Sequence, residues 1–320
     1  MYVSQPHSKR LALRALATGT LGVALCACLG APISEGVSLD DQPLYQFDPD
    51  RLPLGKVQPL VTGIKSIENQ LFTKSGRLFV TGDEGIYEIV QGTGSDFVAK
   101  PVHSGETCAF GGLSEFAETL YANCYDMASS NSAVFASRLT DPLDFQVIQR
   151  LPGVALANGL TSDGMGNLFI ANTLDGKIIR LRLKQGDPLS VEAQDDWNPS
   201  SSLFTNGLQY FNASLYWTAF TTVYAAQIRS DGTAGPTQVL GSEATFFDDL
   251  HVDGNGVWLA DYLNGTIVAT QLDGKVEAST PTGTFSGPSS VQPALGRLHL
   301  PSAAFLVTEK GADRLSLYVQ

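Results

Sequence analysis

The sequence is poor in charged residues and in histidine and cysteine, which limits the kinds of site it can build. Charged residues make up 16% of its 320 residues against 43% hydrophobic, and there are four histidines and four cysteines. No histidines stand at a zinc-site spacing; the four are His7, His103, His251 and His299. A chain of this length buries a large core, as one large all-β domain or two ordinary ones.

Basic residues are also scarce. Lys and Arg total 20 against 32 Asp and Glu, which gives a formal charge of −12 and an isoelectric point near 4.7. This balance disfavours a nucleic-acid partner and permits a cation.

Several catalytic motifs are missing as well. The sequence has no Gly-x-Ser-x-Gly, His-Glu-x-x-His or Walker motif. The segment Asp253-Gly254-Asn255-Gly256 is similar to the start of a calcium loop. It lacks the distal glutamate, so we interpret it as a hairpin turn.

The N-terminus has the pattern of an export signal. Three basic residues up to Arg14 precede an apolar run of small residues from Ala15 to Ala27, too short for a stable membrane span. The segment Leu25-Cys26-Ala27-Cys28 resembles a bacterial lipobox. We therefore predict that residues 1–28 are a signal with Cys28 lipidated, and that residues 29–42 are a tether. The alternative is an ordinary signal cleaved a few residues later.

The predicted location is the periplasm or cell envelope, or otherwise secretion, with membrane contact through the lipid only. Cys26 would be removed with the signal and Cys28 would carry the lipid, so Cys108 and Cys124 remain. These two cysteines lie on either side of one predicted hairpin. A disulfide between them is expected in an oxidising compartment. Two free buried thiols are the alternative.

The pattern that dominates the chain is a repeated hairpin. Residues 246–260 alternate apolar and polar residues around a Gly-containing turn, and the pattern recurs at 158–171 and 68–80. One position, called here the ring position, recurs at intervals of 41 to 48 residues: Glu68, Gly111, Asn158, Asn206, Asp248 and Ser289. Such spacing predicts a β-propeller of six units.

The chain ends after only three strands of the sixth unit. A four-stranded last blade then needs its outer strand from within Leu44 to Ile64. We therefore predict an all-β fold, a six-bladed propeller of four-stranded blades closed by an N-terminal strand, in one domain of residues 43–320. An insert from Gln292 to Ser302 lies either over one mouth of the ring or at the surface.

The ring position carries the candidate metal ligands. Innermost strands of a propeller face one channel, so Glu68, Asn158, Asn206 and Asp248 offer two carboxylates and two amide carbonyls near the axis. This set of hard oxygen ligands suits Ca²⁺, or another divalent cation, better than zinc. Each of these residues taken alone has a simpler explanation, because Asn before Gly commonly forms a turn and a single acid is commonly solvated. The shared repeat position favours a metal site.

At these residues the chain resembles the six-bladed propeller superfamily of gluconolactonase and regucalcin, diisopropyl fluorophosphatase and paraoxonase. The resemblance implies that Glu68, Asn158, Asn206 and Asp248 bind a catalytic Ca²⁺. Two segments depart from the gluconolactonase pattern, Glu68-Asn69-Gln70 in place of Glu-Gly-Pro and Asp248-Asp249 in place of Asp-Gly. Paraoxonase-like members place a second ligand after the Asp, so Asp249 is a candidate fifth ligand or else a solvated turn acid.

Two functions follow as expectations. The first is a calcium-dependent hydrolase of small lactones or related esters, in which the metal polarises the carbonyl and Asp248 is the base or nucleophile. His251 is interpreted as a packed strand residue rather than a proton shuttle. The second is a non-catalytic, lipid-anchored propeller with a structural calcium that binds a sugar or a protein. We expect a monomer in either case.

Overall fold

The described part of the chain is built almost wholly of β-strands. A computed structural model describes residues 55–94, 96–198, 202–243 and 245–319. The predicted signal, Cys28, the tether and residues 43–54 of the predicted domain lie outside these ranges.

The described residues form twenty-four strands in six antiparallel sheets of four. The first strand is β1 (Lys56–Thr62). Blade 1 follows with β2 (Gln70–Phe72), β3 (Leu78–Gly82), β4 (Gly85–Gln91) and β5 (Phe97–Ser104). Blade 2 contains β6 (Ala109–Phe116), β7 (Thr119–Asp126), β8 (Asn131–Arg138) and β9 (Gln146–Pro152). Blade 3 contains β10 (Ala157–Ser162), β11 (Asn167–Asn172), β12 (Lys177–Lys184) and β13 (Asp187–Asn198).

The remaining blades repeat this order. Blade 4 contains β14 (Thr205–Phe211), β15 (Ser214–Ala219), β16 (Thr222–Gln227) and β17 (Gln238–Ser242). Blade 5 contains β18 (Phe247–Asp253), β19 (Gly256–Asp261), β20 (Thr266–Thr270) and β21 (Val276–Ser279). Blade 6 contains β22 (Pro288–Pro293), β23 (Phe305–Glu309) and β24 (Arg314–Val319), with short 3₁₀ turns at Arg297–His299 and Lys310–Ala312.

The first strand closes the ring. β1 is the outer strand of blade 6 and pairs antiparallel with β24, from Lys56 opposite Val319 to Thr62 opposite Arg314. The phenol of Tyr318 also accepts a hydrogen bond from the Gly55 N–H at 2.9 Å. The predicted six-bladed propeller and its N-terminal closing strand are confirmed.

The core lies between neighbouring blades because successive side chains of a strand point to opposite faces. In β3, Leu78 and Val80 pack with Leu306 of blade 6, whereas Phe79 between them packs with Phe110 of blade 2. This alternation fixes the register of each strand, since a slip by one residue would exchange the two faces.

The innermost strands share an irregularity at the ring position. Pairing with the second strand of the blade jumps from Ala157 to Leu160 in blade 3, and equivalent shifts occur in blades 2, 4, 5 and 6. Such bulges release residues from regular pairing and turn them toward new directions. In blade 1 the equivalent residues Glu68 and Asn69 hydrogen-bond with Thr81 just before β2 begins.

Two further features are the disulfide of blade 2 and the insert of blade 6. Cys108 and Cys124 form a disulfide within blade 2, with their Cα atoms 5.6 Å apart, so this pairing is confirmed. The insert of blade 6 lies at the end of the ring opposite the ring position and packs on blade 1. There the Arg297 guanidinium lies 5.1 Å from the centre of the Phe72 ring. Within the described ranges, no helix has the length and apolar character needed to cross a membrane.

Candidate functional site

Four of the predicted ligands occupy the ring position of four different blades and are called here the axial cluster: Glu68, Asn158, Asn206 and Asp248. Glu68, Asn206 and Asp248 are 4%, 4% and 5% exposed, and Asn158 is half-buried. Burial of two carboxylates at one end of a channel is costly unless they are paired or bind a cation.

Asp248 is held by blade 4. The Asn206 side-chain amide donates a hydrogen bond to Oδ1 of Asp248. The Thr218 hydroxyl donates to the backbone carbonyl of Asp248 at 2.9 Å and accepts from the Gly207 N–H at 2.9 Å. Blade 4 thus holds Asp248, which lies in the bulge of β18, through both its backbone and its side chain.

The charges around Asp248 shift its pKa. Burial raises the pKa of Asp248 well above its ordinary value, and the nearby Glu68 carboxylate raises it further. The Lys310 ammonium and the Asn206 amide act in the opposite direction because they favour the carboxylate. The structure therefore brings Glu68, Asn206 and Asp248 together.

A lysine ammonium contacts this cluster. Lys310, in the turn between β23 and β24, donates a hydrogen bond to Oε2 of Glu68, and the two form an ion pair. Burial disfavours its ammonium, but Glu68, Tyr125 and Asp248 together raise the pKa of Lys310 above its ordinary value. No sequence pattern marks Lys310, since it lies in a loop that has no fixed place in the repeat.

Asp249 is neither a member of the axial cluster nor a solvated turn acid. Its Oδ2 accepts a hydrogen bond from the Asn69 side chain at 2.7 Å, and Oδ1 of Asn69 accepts one from the Leu113 N–H at 3.3 Å. Burial raises the pKa of Asp249 to about 7, with a further contribution from Glu68. Asn69 and Asp249 thus form a second polar layer, one residue beyond the ring position.

Neighbouring blades are joined by side chains of their second strands, a feature that the ring position alone does not reveal. The hydroxyls of Thr81, Thr218 and Thr308 donate to the backbone carbonyls of Gly111, Asp248 and Glu68 respectively. In blade 2 the amide of Asn123 donates to the Asn158 carbonyl at 2.7 Å. These four residues share one place in the repeat, so aligning second strands would have revealed them.

Asn123 also bears on whether a cation fits. Its Oδ1 is buried and accepts no hydrogen bond from the described residues. A Cβ on Gly111, the ring residue of blade 2, would lie 2.8 Å from this oxygen. An unpaired amide oxygen thus stands where blade 2 lacks a ring side chain.

The described residues contain no group of three or more His, Cys, Asp or Glu side chains placed to hold a metal. A cation at the axis would depend on two carboxylates supplemented by amide oxygens. This donor chemistry fits a hard divalent cation such as Ca²⁺, with Lys310 competing for Glu68.

An aromatic rim surrounds this end of blades 4 and 5. It consists of four aromatic rings, each of which contacts the next. Each ring lies next to a strand end on the side of the axial cluster: Phe204, Phe220, Phe246 and Tyr262. Successive ring centres lie 5.6, 5.7 and 6.2 Å apart. Phe204 and Phe220 are exposed, so apolar surface is available beside the polar cluster.

A cavity of about 270 Å³ lies in the channel beyond the second polar layer. All six innermost strands line it, with Asn69, Asp249, His251 and Gln292 among the lining residues. His251 packs on Trp258 with ring centres 5.8 Å apart, and burial lowers its pKa to about 4. It therefore stays neutral near pH 7.

Solved structures resemble this chain in fold. An auxiliary nutrient binding protein from Bacteroides thetaiotaomicron has a TM-score of 0.63 at 10% identity, covering 82% of this chain and 72% of that one. The PQQ-bound aldose sugar dehydrogenase from Streptomyces coelicolor gives 0.55 at 15%, covering 83% and 98%. Selenomethionine-substituted virginiamycin B lyase from Staphylococcus aureus gives 0.53 at 10%, covering 83% and 99%.

These likenesses show the fold alone. The similar structures include enzymes and a binding protein, and one propeller architecture hosts both kinds of function. No protein-family model matches the sequence, and comparison with curated proteins gives no match. The resemblance to the gluconolactonase superfamily stays a prediction from the ring residues.

Proposed function

We propose that this protein is a calcium-dependent hydrolase of small lactones or related esters. The observation that supports this most is the burial of Glu68 and Asp248 at one ring position, with Asn206 on Asp248. Asn158 holds the same position in blade 3, and Asn123 adds an unpaired amide oxygen. Such a set of hard oxygen donors at the end of a channel is suited to a calcium ion.

In this proposal each residue has a defined task. Glu68, Asn158, Asn206 and Asp248 are ligands, and Asp249 is a fifth candidate once it leaves Asn69. When bound, calcium supplies a Lewis acid that polarises the substrate carbonyl and stabilises the oxyanion. With its second oxygen, while Oδ1 is held by Asn206, Asp248 would take the proton of a water that attacks the acyl carbon; the acyl C–O bond then breaks and that proton passes to the departing alkoxide. If the same oxygen instead attacks the acyl carbon, the alkoxide would leave with a proton from water and a second water would hydrolyse the acyl-aspartate.

The aromatic rim suits the apolar part of such a substrate. Phe204 and Phe246 stand two residues before Asn206 and Asp248, so the rings flank the strands that carry the polar groups. Contact with these rings would orient an ester whose carbonyl points to the axis, because stacking on aromatic faces fixes position at low entropic cost.

The test is hydrolysis of a panel of γ-lactones, δ-lactones and aryl esters by the purified protein. Assays with excess calcium are compared with assays in a chelator. We expect turnover that the chelator abolishes and added calcium restores. Turnover unaffected by the chelator contradicts the calcium mechanism. No turnover, with a calcium-dependent rise in melting temperature, instead favours a binding protein with a structural calcium.

We also propose that the protein is exported and anchored through Cys28. The disulfide supports an oxidising compartment, since such bonds are rare in a reducing cytosol. The pairing of β1 with β24 puts Lys56 at the end of blade 6 opposite Lys310, so β1 begins on the side away from the axial cluster. Cell fractionation of Cys28→Ser tests the anchor, and unchanged membrane association contradicts it.

A further inference from the structure

We infer that Lys310 is a built-in competitor for the axial cation. Its ammonium neutralises Glu68 when the cation is absent and gives Glu68 up when the cation binds. This rests on the proposed function, because the competing cation is the calcium ion proposed for the axial cluster. It adds a residue, from blade 6, that sets how tightly that cation is held.

The backbone of the Lys310 turn is firmly held. The Lys310 N–H donates to the Gly287 carbonyl at 2.9 Å, and the Gly311 N–H to the Ser286 carbonyl at 3.0 Å. The preceding Glu309 is fully buried and accepts hydrogen bonds from Arg314 at 2.8 Å. These contacts keep the Lys310 backbone in one place, within reach of Glu68.

The side chain has the burial and the charge needed for competition. The Lys310 side chain is 28% exposed and its partner Glu68 only 5% exposed, so their attraction is weakly screened. The Lys310 ammonium is hydrogen-bonded to Oε2 of Glu68, so it neutralises that acid of the axial cluster directly.

A divalent cation and the ammonium cannot share this carboxylate without repulsion. Two like charges that contact the same carboxylate repel strongly in a partly buried site, because the effective dielectric constant there is well below that of water. Cation binding therefore requires Lys310 to leave Glu68, and the lost ion pair subtracts from the affinity. Removing the ammonium should make the site bind calcium more tightly.

Calorimetric titration of calcium into chelator-stripped protein tests this. We expect Lys310→Met to bind calcium about tenfold more tightly or better, because the competing charge is gone. Lys310→Arg should stay close to the wild type, since it keeps the charge. The matched control is Lys65→Met, which removes an exposed lysine from a loop at the same end of the ring.

Melting temperature gives a second readout. Without calcium, Lys310→Met should melt below the wild type because Glu68 and Asp248 then face each other without a cation. Saturating calcium should raise its melting temperature more than that of the wild type. If Lys310→Met does not fold, Lys310→Gln is used in its place in both measurements.

The outcomes separate the two proposals. If the wild type binds calcium and the folded Lys310 variants bind it no more tightly, the competition is refuted and the calcium site stands. If the variants bind and the wild type does not, the competition is supported and the calcium-dependent mechanism fails for the wild type. If neither binds calcium at millimolar concentration, both proposals are refuted.

Discussion

The Thr218 hydroxyl stands between two blades, accepting a hydrogen bond from the Gly207 N–H and donating one to the backbone carbonyl of Asp248, each at 2.9 Å. Both backbone groups lie in bulges, where the regular ladder does not satisfy them. One hydroxyl therefore fixes the position of the acid to which we assign the chemistry. Equivalent links from Thr81 and Thr308 join other blades.

Replacing Thr218 by Val should destabilise the ring. The variant leaves the Gly207 N–H and the Asp248 carbonyl buried without a partner, so we expect the free energy of unfolding to fall by about 2 kcal/mol or more. Thr218→Ser keeps the hydroxyl and should stay near the wild type. Urea denaturation measures both, and a Val variant of wild-type stability would show that the link is dispensable.

A side chain at Gly207 should lower the stability of the fold. A Cβ there would lie 2.2 Å from Oδ1 of Asp249 and 2.6 Å from its Cα atom. Gly207→Ala should cost about 1–3 kcal/mol of stability through the forced shift of neighbouring backbone. Gly254→Ala is the matched control, since a Cβ at Gly254 meets no atom within 4 Å. Equal denaturation midpoints for the two variants would refute this.

The disulfide of blade 2 should contribute substantially to stability. Cys108 and Cys124 are separated by 16 residues, and closing a loop of this size stabilises by about 3 kcal/mol in the chain-entropy model. We expect the double variant Cys108→Ala with Cys124→Ala to lose stability of that order. Denaturation of the oxidised wild type beside the double variant measures it, and coincident curves would contradict the prediction.

Stability should fall in acid through His251. Its pKa is about 4 in the folded protein against 6.5 ordinarily, through burial and then the charge of Arg297. Between these values the unfolded chain binds more protons, so this contribution is complete above pH 6.5 and is lost as the pH falls toward 4. The loss is at most about 3 kcal/mol at 1.36 kcal/mol for each pKa unit.

His251→Gln should remove this part of the pH dependence, and His299→Gln, at an exposed position, should not. Urea midpoints at a series of pH values from 4 to 7 provide the comparison. A His251→Gln profile that runs parallel to the wild-type profile would rule out His251 as the source.

The repeat carried enough information to predict the ring, because each blade must bury alternating residues at the same places. It also predicted the closing strand, since three strands of the sixth unit leave an edge unpaired. It placed Glu68, Asn206 and Asp248 together because one repeat position maps to one level of the channel. Lys310 escaped prediction because its approach to Glu68 spans 242 residues and depends on a single loop.

The layer formed by Asn69 and Asp249 shows the same limit. The sequence did not identify the partner of Asp249, which the structure pairs with Asn69, 180 residues away. Repeat alignment gives the level of a residue in the channel but not its partner across it. That partner depends on the direction each bulge gives to its side chain.

The most direct test of the proposed function is the turnover of Asp248→Asn on a substrate that the wild type hydrolyses. The amide can neither take a proton from water nor attack the acyl carbon, so we expect the rate to fall by a factor on the order of 10³ or more. Asp253→Asn, at the far end of the same strand, should retain full activity. A folded Asp248→Asn variant with wild-type turnover would contradict the assignment of the chemistry to the axial cluster.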